Sequence, residues 1–166
     1  MDLFTAIEER YSTRKYSGEP VPHEQLKIIA DAGRRAPTAR NEQPWEFVIV
    51  TACARLVELA GLTDHGRFIA EAGGCIAVLC RSTKYYLEDG CAATENILLA
   101  ATALDLQTCW VAGDKKPYAL KVCEFLGAPP DLKLVSLVAI GRAAEPARRA
   151  PKRELDKILH WEKYGP

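Results

Sequence analysis

The stretch Asn96-Ile97-Leu98-Leu99-Ala100-Ala101-Thr102-Ala103-Leu104 carries no charge, and helical patterning extends back from it to about Tyr86. A helix that is apolar all round must be covered on every side. In a chain of 166 residues that leaves two arrangements. The helix is either the centre of the core or the seam against a second subunit.

The remaining elements follow from periodicity and punctuation. Asp2 caps a first helix running to about Arg10, with Phe4, Ile7 and Tyr11 on one face. Pro22 opens a second helix, in which Leu26, Ile29, Ala30 and Gly33 recur at helical spacing; it ends near Arg35, since Ala36 precedes Pro37. Phe47-Val48-Ile49-Val50 and Cys75-Ile76-Ala77-Val78-Leu79-Cys80 are continuous apolar runs, expected of strands covered on both faces. Cys53 to Leu62 reads as a helix and Arg67 to Ala72 as a short one. Leu106 to Val111 and Leu132 to Ile140 read as further strands. Lys116 to Leu126 is expected to be helical with Gly127 as its C-cap. A last short helix is expected over Lys152 to His160. The order is α+β in a single domain, residues 1–166.

Charge and cysteine usage narrow the classes of function. A formal net charge of zero removes the electrostatic case for nucleic acid or an anionic membrane. The start of the chain has no secretory pattern, and no apolar run approaches the length of a membrane span. Six cysteines occur without a Cys-x-x-Cys, beside three histidines, which argues against a metal site. Free thiols in a reducing cytoplasm are the simplest expectation. No Gly-rich strand-to-helix turn marks a Rossmann or P-loop site. No side chain stands out as a catalytic nucleophile, and His65 and His160 read as exposed or satisfied. Such poverty suits a protein whose chemistry belongs to a bound cofactor.

Two segments point to that cofactor. In Arg10-Tyr11-Ser12-Thr13-Arg14-Lys15-Tyr16, Arg10, Ser12 and Arg14 alternate, so extended backbone puts them on one side. Two guanidinium groups about a hydroxyl suit a phosphate. The plainer alternative is a solvated helix end, where cations complement the dipole. In Ala36-Pro37-Thr38-Ala39-Arg40-Asn41-Glu42-Gln43-Pro44-Trp45, Asn41 and Gln43 offer donors and acceptors suited to a heterocycle edge. Amides are also ordinary loop residues. A phosphate site and a heterocycle site together suggest a mononucleotide-type cofactor.

In this order the two segments resemble the start of the nitroreductase family of FMN flavoproteins: Arg-x-Ser-x-Arg-x-aromatic, a helix, then Pro-Ser/Thr-x-x-Asn-x-Gln-Pro-Trp. The resemblance continues through Asp89 to Ala101, through Leu104 to Gly113, through Val138-Ala139-Ile140-Gly141, and through Lys152-Arg153 to Tyr164-Gly165. It implies a nitroreductase-like α+β fold: a mostly antiparallel central sheet flanked by helices, dimeric about a buried central helix. It implies a homodimer with FMN at the subunit interface, taking hydride from NAD(P)H and passing it to a nitroaromatic, a quinone or a similar acceptor. Arg10, Tyr11, Ser12 and Arg14 would hold phosphate and ribityl oxygens, joined by Lys152 or Arg153. Thr38, Asn41 and Gln43 would reach the partner's flavin. Val111, Ala112 and Gly113 would lie beside the ring, where a backbone N–H could donate to N5.

Some features depart from the family pattern. Asp105 and Gln107 stand where two glycines are expected. Cys109 and Trp110 read as core packing. The usual helical excursion over the substrate is largely missing, leaving Tyr85, Tyr86 or Phe68 as candidate cover. A flavin-storage protein without turnover, a reductive dehalogenase and a flavin-destroying enzyme therefore stay as alternatives. Nothing identifiable distinguishes NADH from NADPH.

Overall fold

The apolar runs become an antiparallel sheet whose two inner strands are buried on both faces, while the Phe47–Val50 run lies at an edge, with Phe47 and Val48 half-buried and Ile49 exposed. In the computed structural model, which describes residues 1–165, the strands are β1 (Trp45–Val50), β2 (Gly74–Arg81), β3 (Gln107–Ala112) and β4 (Leu132–Gly141). Their order is β1-β2-β4-β3, and each neighbouring pair is antiparallel. The inner strands β2 and β4 are almost continuously buried. That explains why their sequences are apolar runs and not alternating patterns.

Helices cover both faces. Ile76, Val78, Val138 and Ile140 pack with residues of α2 (His23–Gly33) and α4 (Tyr86–Ala103). Cys75, Ala77, Leu79, Leu137 and Ala139 pack with residues of α3 (Cys53–Leu62), α5 (Ala119–Leu126) and the 3-10 turn Arg67–Glu71. The α4 helix, 18 residues long, buries Ala93, Ile97, Leu98 and Ala101. Its Thr94 hydroxyl is satisfied by the Gly90 carbonyl at 2.7 Å and the Ser136 hydroxyl at 2.8 Å. At Gly90 an added Cβ would stand 2.7 and 2.9 Å from the two Val135 methyl carbons. Gly90→Ala should therefore cost about 1–3 kcal/mol through overpacking, read as a lower midpoint in chemical denaturation. An unchanged midpoint would mean that α4 can step back from β4.

Two expectations need correction, and the choice between the two arrangements of α4 is narrowed. The Phe4/Ile7 face of the first helix, α1 (Leu3–Glu9), does not pack on its own core: Phe4 is 80% exposed, and Ala6 is the buried residue. Asp2 does cap it, accepting from the Phe4 and Thr5 N–H groups. Along α4, Leu99, Ala92 and Ala100 are only half-buried in the single chain, so its cover is incomplete. The helix expected over Lys152 to His160 shrinks to one 3-10 turn, Leu155–Lys157. A short helix with no surface to pack against does not form unaided, and Leu155, Ile158 and Trp161 of this tail are exposed.

Smaller shifts have local causes. α5 begins at Ala119 and not at Lys116: Lys116 precedes Pro117, which disfavours helical backbone there, and its carbonyl accepts from the Ala119 N–H in a tighter i→i+3 turn. Gly127 ends it at φ 70°, as a C-cap glycine should. Among the described residues no helix is long and apolar enough to cross a membrane.

Candidate functional site

The Arg10–Tyr16 segment is laid along the outer edge of β3. Ser12 forms a parallel bridge with Thr108, and the Thr13 N–H donates to the Thr108 carbonyl at 2.9 Å. Further on, Tyr16 pairs with Ala143, and its hydroxyl donates to the Ala139 carbonyl at 3.2 Å. These backbone and phenol contacts hold the segment extended, leaving Ser12 and Arg14 exposed and Arg10 half-buried.

Arg14, Ser12 and Arg10 all act on Cys109. Burial pushes its thiol up, while the Arg14 charge, the Ser12 hydroxyl and the Arg10 charge pull the other way. Cys109 is thus buried against the cationic segment at the sheet margin, outside the two main clusters of apolar side chains. Trp110 packs partly against the α4 side. At the same crossing the Thr13 and Thr108 hydroxyls are buried without a hydrogen-bond partner.

A cavity of about 220 Å³ opens beside Tyr11, Ser12 and Arg14, and Arg148 also lines it. Lys15 flanks it in an ion pair with Glu145 at 2.5 Å. Arg149 anchors the returning chain by donating to the Glu9 carbonyl at 3.3 Å. Within one chain, neither Lys152 nor Arg153 lines this cavity. Both are exposed on the tail, and Arg153 donates to the Lys157 carbonyl at 3.1 Å. Arg148 was not anticipated from sequence, because the arginine- and alanine-rich stretch after Gly141 carries no helix or strand periodicity. The signal available was the pair Arg148-Arg149 shortly after the last strand.

Strand alternation decides which backbone N–H groups face the free edge of β3. The Thr108 carbonyl points outward, since it accepts from Thr13. Trp110 and Ala112 therefore also turn their backbone groups to the free edge, and Val111 turns its own toward β4. The Gly113 N–H is taken by the Val135 carbonyl at 3.0 Å. Of the three expected ring neighbours, Ala112 is the exposed one with its N–H outward. Its carbonyl accepts from the Tyr118 hydroxyl. The four residue-to-residue steps from Thr108 to Ala112 cover about 13 Å of strand.

The amide loop lies at the opposite edge of the sheet, leading into β1. Three strand spacings separate it from β3, about 14 Å, and Asn41 and Gln43 do not line the cavity beside Ser12. Its fold is unusual. Arg40, Asn41 and Gln43 have φ values of 56°, 57° and 46°, a left-handed region that costs non-glycine residues on the order of 1 kcal/mol each. The Thr38 hydroxyl accepts from the Gln43 N–H at 3.1 Å. Two residues not anticipated from sequence hold the loop ends. The Asp89 carboxylate accepts from the Ala39 N–H at 3.1 Å, and the Arg81 guanidinium donates to the Gln43 carbonyl at 3.3 Å.

Of the aromatic candidates for cover, Phe68 packs at a tilt against Tyr16 and Tyr85 is exposed. Tyr86 is tied to the residue after Gly113: its hydroxyl donates to Asp114 at 2.6 Å. That hydrogen bond, with burial, pushes the phenol up to about 12. Asp105, at an expected glycine, takes φ 57°, so the glycine-like turn persists without a glycine. Gln107, at the other, accepts from the Ala143 N–H at 2.9 Å. All six cysteines are free.

Known proteins are similar to this chain in sequence and fold. The model of the nitroreductase family matches residues 7–67 and 81–142. A protein of Archaeoglobus fulgidus, provisionally named NADH dehydrogenase/NAD(P)H nitroreductase, is 33% identical over 167 residues, covering 96% of this chain and 91% of its own. A solved structure with the same provisional name, from Bacteroides thetaiotaomicron, superposes with a TM-score of 0.92 at 28% identity, covering 98% of each chain. A provisionally named nitroreductase from Desulfovibrio desulfuricans, solved in complex with FMN, does so with a TM-score of 0.86 at 28% identity, covering 99% of each.

Proposed function

The chain belongs to the nitroreductase family, and from that premise we propose that it is a homodimeric FMN-dependent oxidoreductase consuming NAD(P)H. FMN is the cofactor. The observation that carries the reading is the outer edge of β3, with clustered cations at Ser12 and an outward N–H at Ala112. A cationic pocket and a free donor about 13 Å apart fit the phosphate and ring of a mononucleotide.

Residues 1–166 act as one flavin-binding unit. Arg10, Tyr11, Ser12 and Arg14 hold the phosphate and ribityl oxygens, and Arg148 adds a cation from the same chain. The Ala112 N–H is the donor toward the ring, flanked by Val111 and Gly113. Thr38, Asn41 and Gln43 serve the partner's site, since the width of the sheet separates them from their own. Lys152 and Arg153 ride on a tail whose exposed Trp161 and Ile158 favour packing on the second subunit. Phe4, Ile7 and Leu99 supply further apolar surface for it. An obligate interface of well over about 2,000 Å² is expected.

Bound FMN supplies hydride chemistry, oxidising NAD(P)H and then reducing an acceptor such as a nitroaromatic or quinone. The protein binds, orients and limits access. Only residues 82–85 separate β2 from α4, which leaves little cover. Both substrates are therefore expected to use one open face in turn, with broad acceptor range.

Steady-state rates with NAD(P)H and a quinone should give parallel double-reciprocal lines. Intersecting lines would require a ternary complex. Heat-released cofactor should chromatograph as FMN and not FAD. The short cover also favours a second reading, a flavin-storage protein. Failure of NADH and NADPH alike to bleach the bound flavin would select it.

A further inference from the structure

We infer that Asp89 is the positioning residue of the amide loop, holding Asn41 and Gln43 in the left-handed conformation that presents them to the flavin. The inference rests on the reading that this loop serves an FMN site.

Asp89 sits in the first turn of α4 and is 5% exposed. One carboxylate oxygen accepts from the Ala39 N–H at 3.1 Å, and the other has no partner. A buried carboxylate held by a single backbone donor is costly to keep, so the contact it makes needs a purpose. Ala39 is the first residue of the 3-10 turn Ala39–Asn41. It lies immediately before the left-handed Arg40 and Asn41.

The loop's own bonds do not join it to the rest of the fold. Asn41 and Glu42 donate to the Thr38 and Ala39 carbonyls, and Gln43 donates to the Thr38 hydroxyl. External support comes at the two ends, from Asp89 on Ala39 at one, and at the other from the Arg81 side chain on Gln43 and the Arg81 N–H on the Pro44 carbonyl at 2.9 Å. Arg81 is exposed and shared with Glu46, so water competes for it. Asp89 is shielded, and its hold is the stiffer one. Because it is fixed to α4, the loop's position is tied to that helix.

The test uses the full-length protein and two ways of breaking one bond. Asp89→Ala removes the acceptor. Ala39→Pro removes the donor at the first position of the turn, where proline is tolerated, after Thr38 in extended backbone. Asp89→Asn keeps an acceptor oxygen. Trypsin cleavage after the exposed Arg40, followed by mass spectrometry under native conditions, reports loop order without any flavin. Titration of apoprotein with FMN reports binding.

Asp89→Ala and Ala39→Pro should each speed Arg40 cleavage at least tenfold and weaken FMN binding at least tenfold. The double variant should be no worse than either alone. Asp89→Asn should stay within a few-fold of wild type in both measurements. Val122→Ala, in the α5 core, should leave Arg40 protected despite lost stability. Should Asp89→Ala fail to fold, Ala39→Pro and Asp89→Asn still decide the matter.

Unchanged cleavage and affinity in Ala39→Pro would overturn the inference. Faster cleavage with unchanged FMN affinity would overturn the loop's role in the flavin site, leaving FMN dependence standing. Wild-type protein that binds no FMN would instead overturn the functional reading, and the cleavage series would still report what holds the loop.

Discussion

Leu99→Asp should yield a folded monomer that retains no flavin, whereas Leu98→Asp should not fold at all. The two residues are adjacent on α4 but face different surroundings. Leu98 is 4% exposed and packs among the side chains beneath the sheet. An unpaired charge there costs more than about 4–5 kcal/mol, an exceptional value for one substitution and a large share of the roughly 5–15 kcal/mol that holds a domain together. Leu99 is half-buried in the single chain. A carboxylate at that position is solvated in a monomer and stranded in an apolar interface, so it acts on association. Phe4→Asp, at a residue 80% exposed, should behave like Leu99→Asp. Sedimentation velocity with the visible flavin band as a second signal checks all three. A stable Leu99→Asp monomer that carries flavin would rule out a site shared between subunits.

Arg14→Ala should weaken FMN binding by about 1.5–3 kcal/mol, the range for a hydrogen bond to a charged group, or roughly 10- to 150-fold in Kd. Arg14 extends from a backbone fixed to β3 through Ser12 and Thr13, so little ordering remains to be done on binding. Its charge lies close enough to Cys109 to oppose the upward push of burial on that thiol. Riboflavin, which lacks the phosphate, is the control: Arg14→Ala should change its affinity little. Equal losses for FMN and riboflavin would mean that the substitution disturbs the β3 edge and not a phosphate contact. No loss for FMN would make Arg14 a solvated cation.

Much of the fold was legible in local patterns. The apolar runs of β2 and β4, the Gly127 cap and the uncharged face of α4 reflect choices made within a few residues, where periodicity and backbone preference operate. The extended course of the Arg10–Tyr16 segment was legible for the same reason, because the alternation of Arg10, Ser12 and Arg14 is itself local. Where the reading slipped, a surface was needed that periodicity cannot identify. The Phe4/Ile7 face and the tail after Lys152 are amphipathic in sequence, yet neither finds burial within its own chain.

The α+β order, the family resemblance and the residue types able to meet a phosphate and a heterocycle can all be read along the chain. Which of them share a place was left to tertiary packing. It turned the Ala112 N–H outward by putting β3 at the sheet edge and pairing Thr108 with Thr13. It brought Arg148 to the cavity that Lys152 and Arg153 do not reach in one chain. It joined Asp89 to Ala39 across 50 residues of sequence. These outcomes depend on strand order and helix packing, which no local pattern encodes, because they arise from contacts between segments remote in the chain.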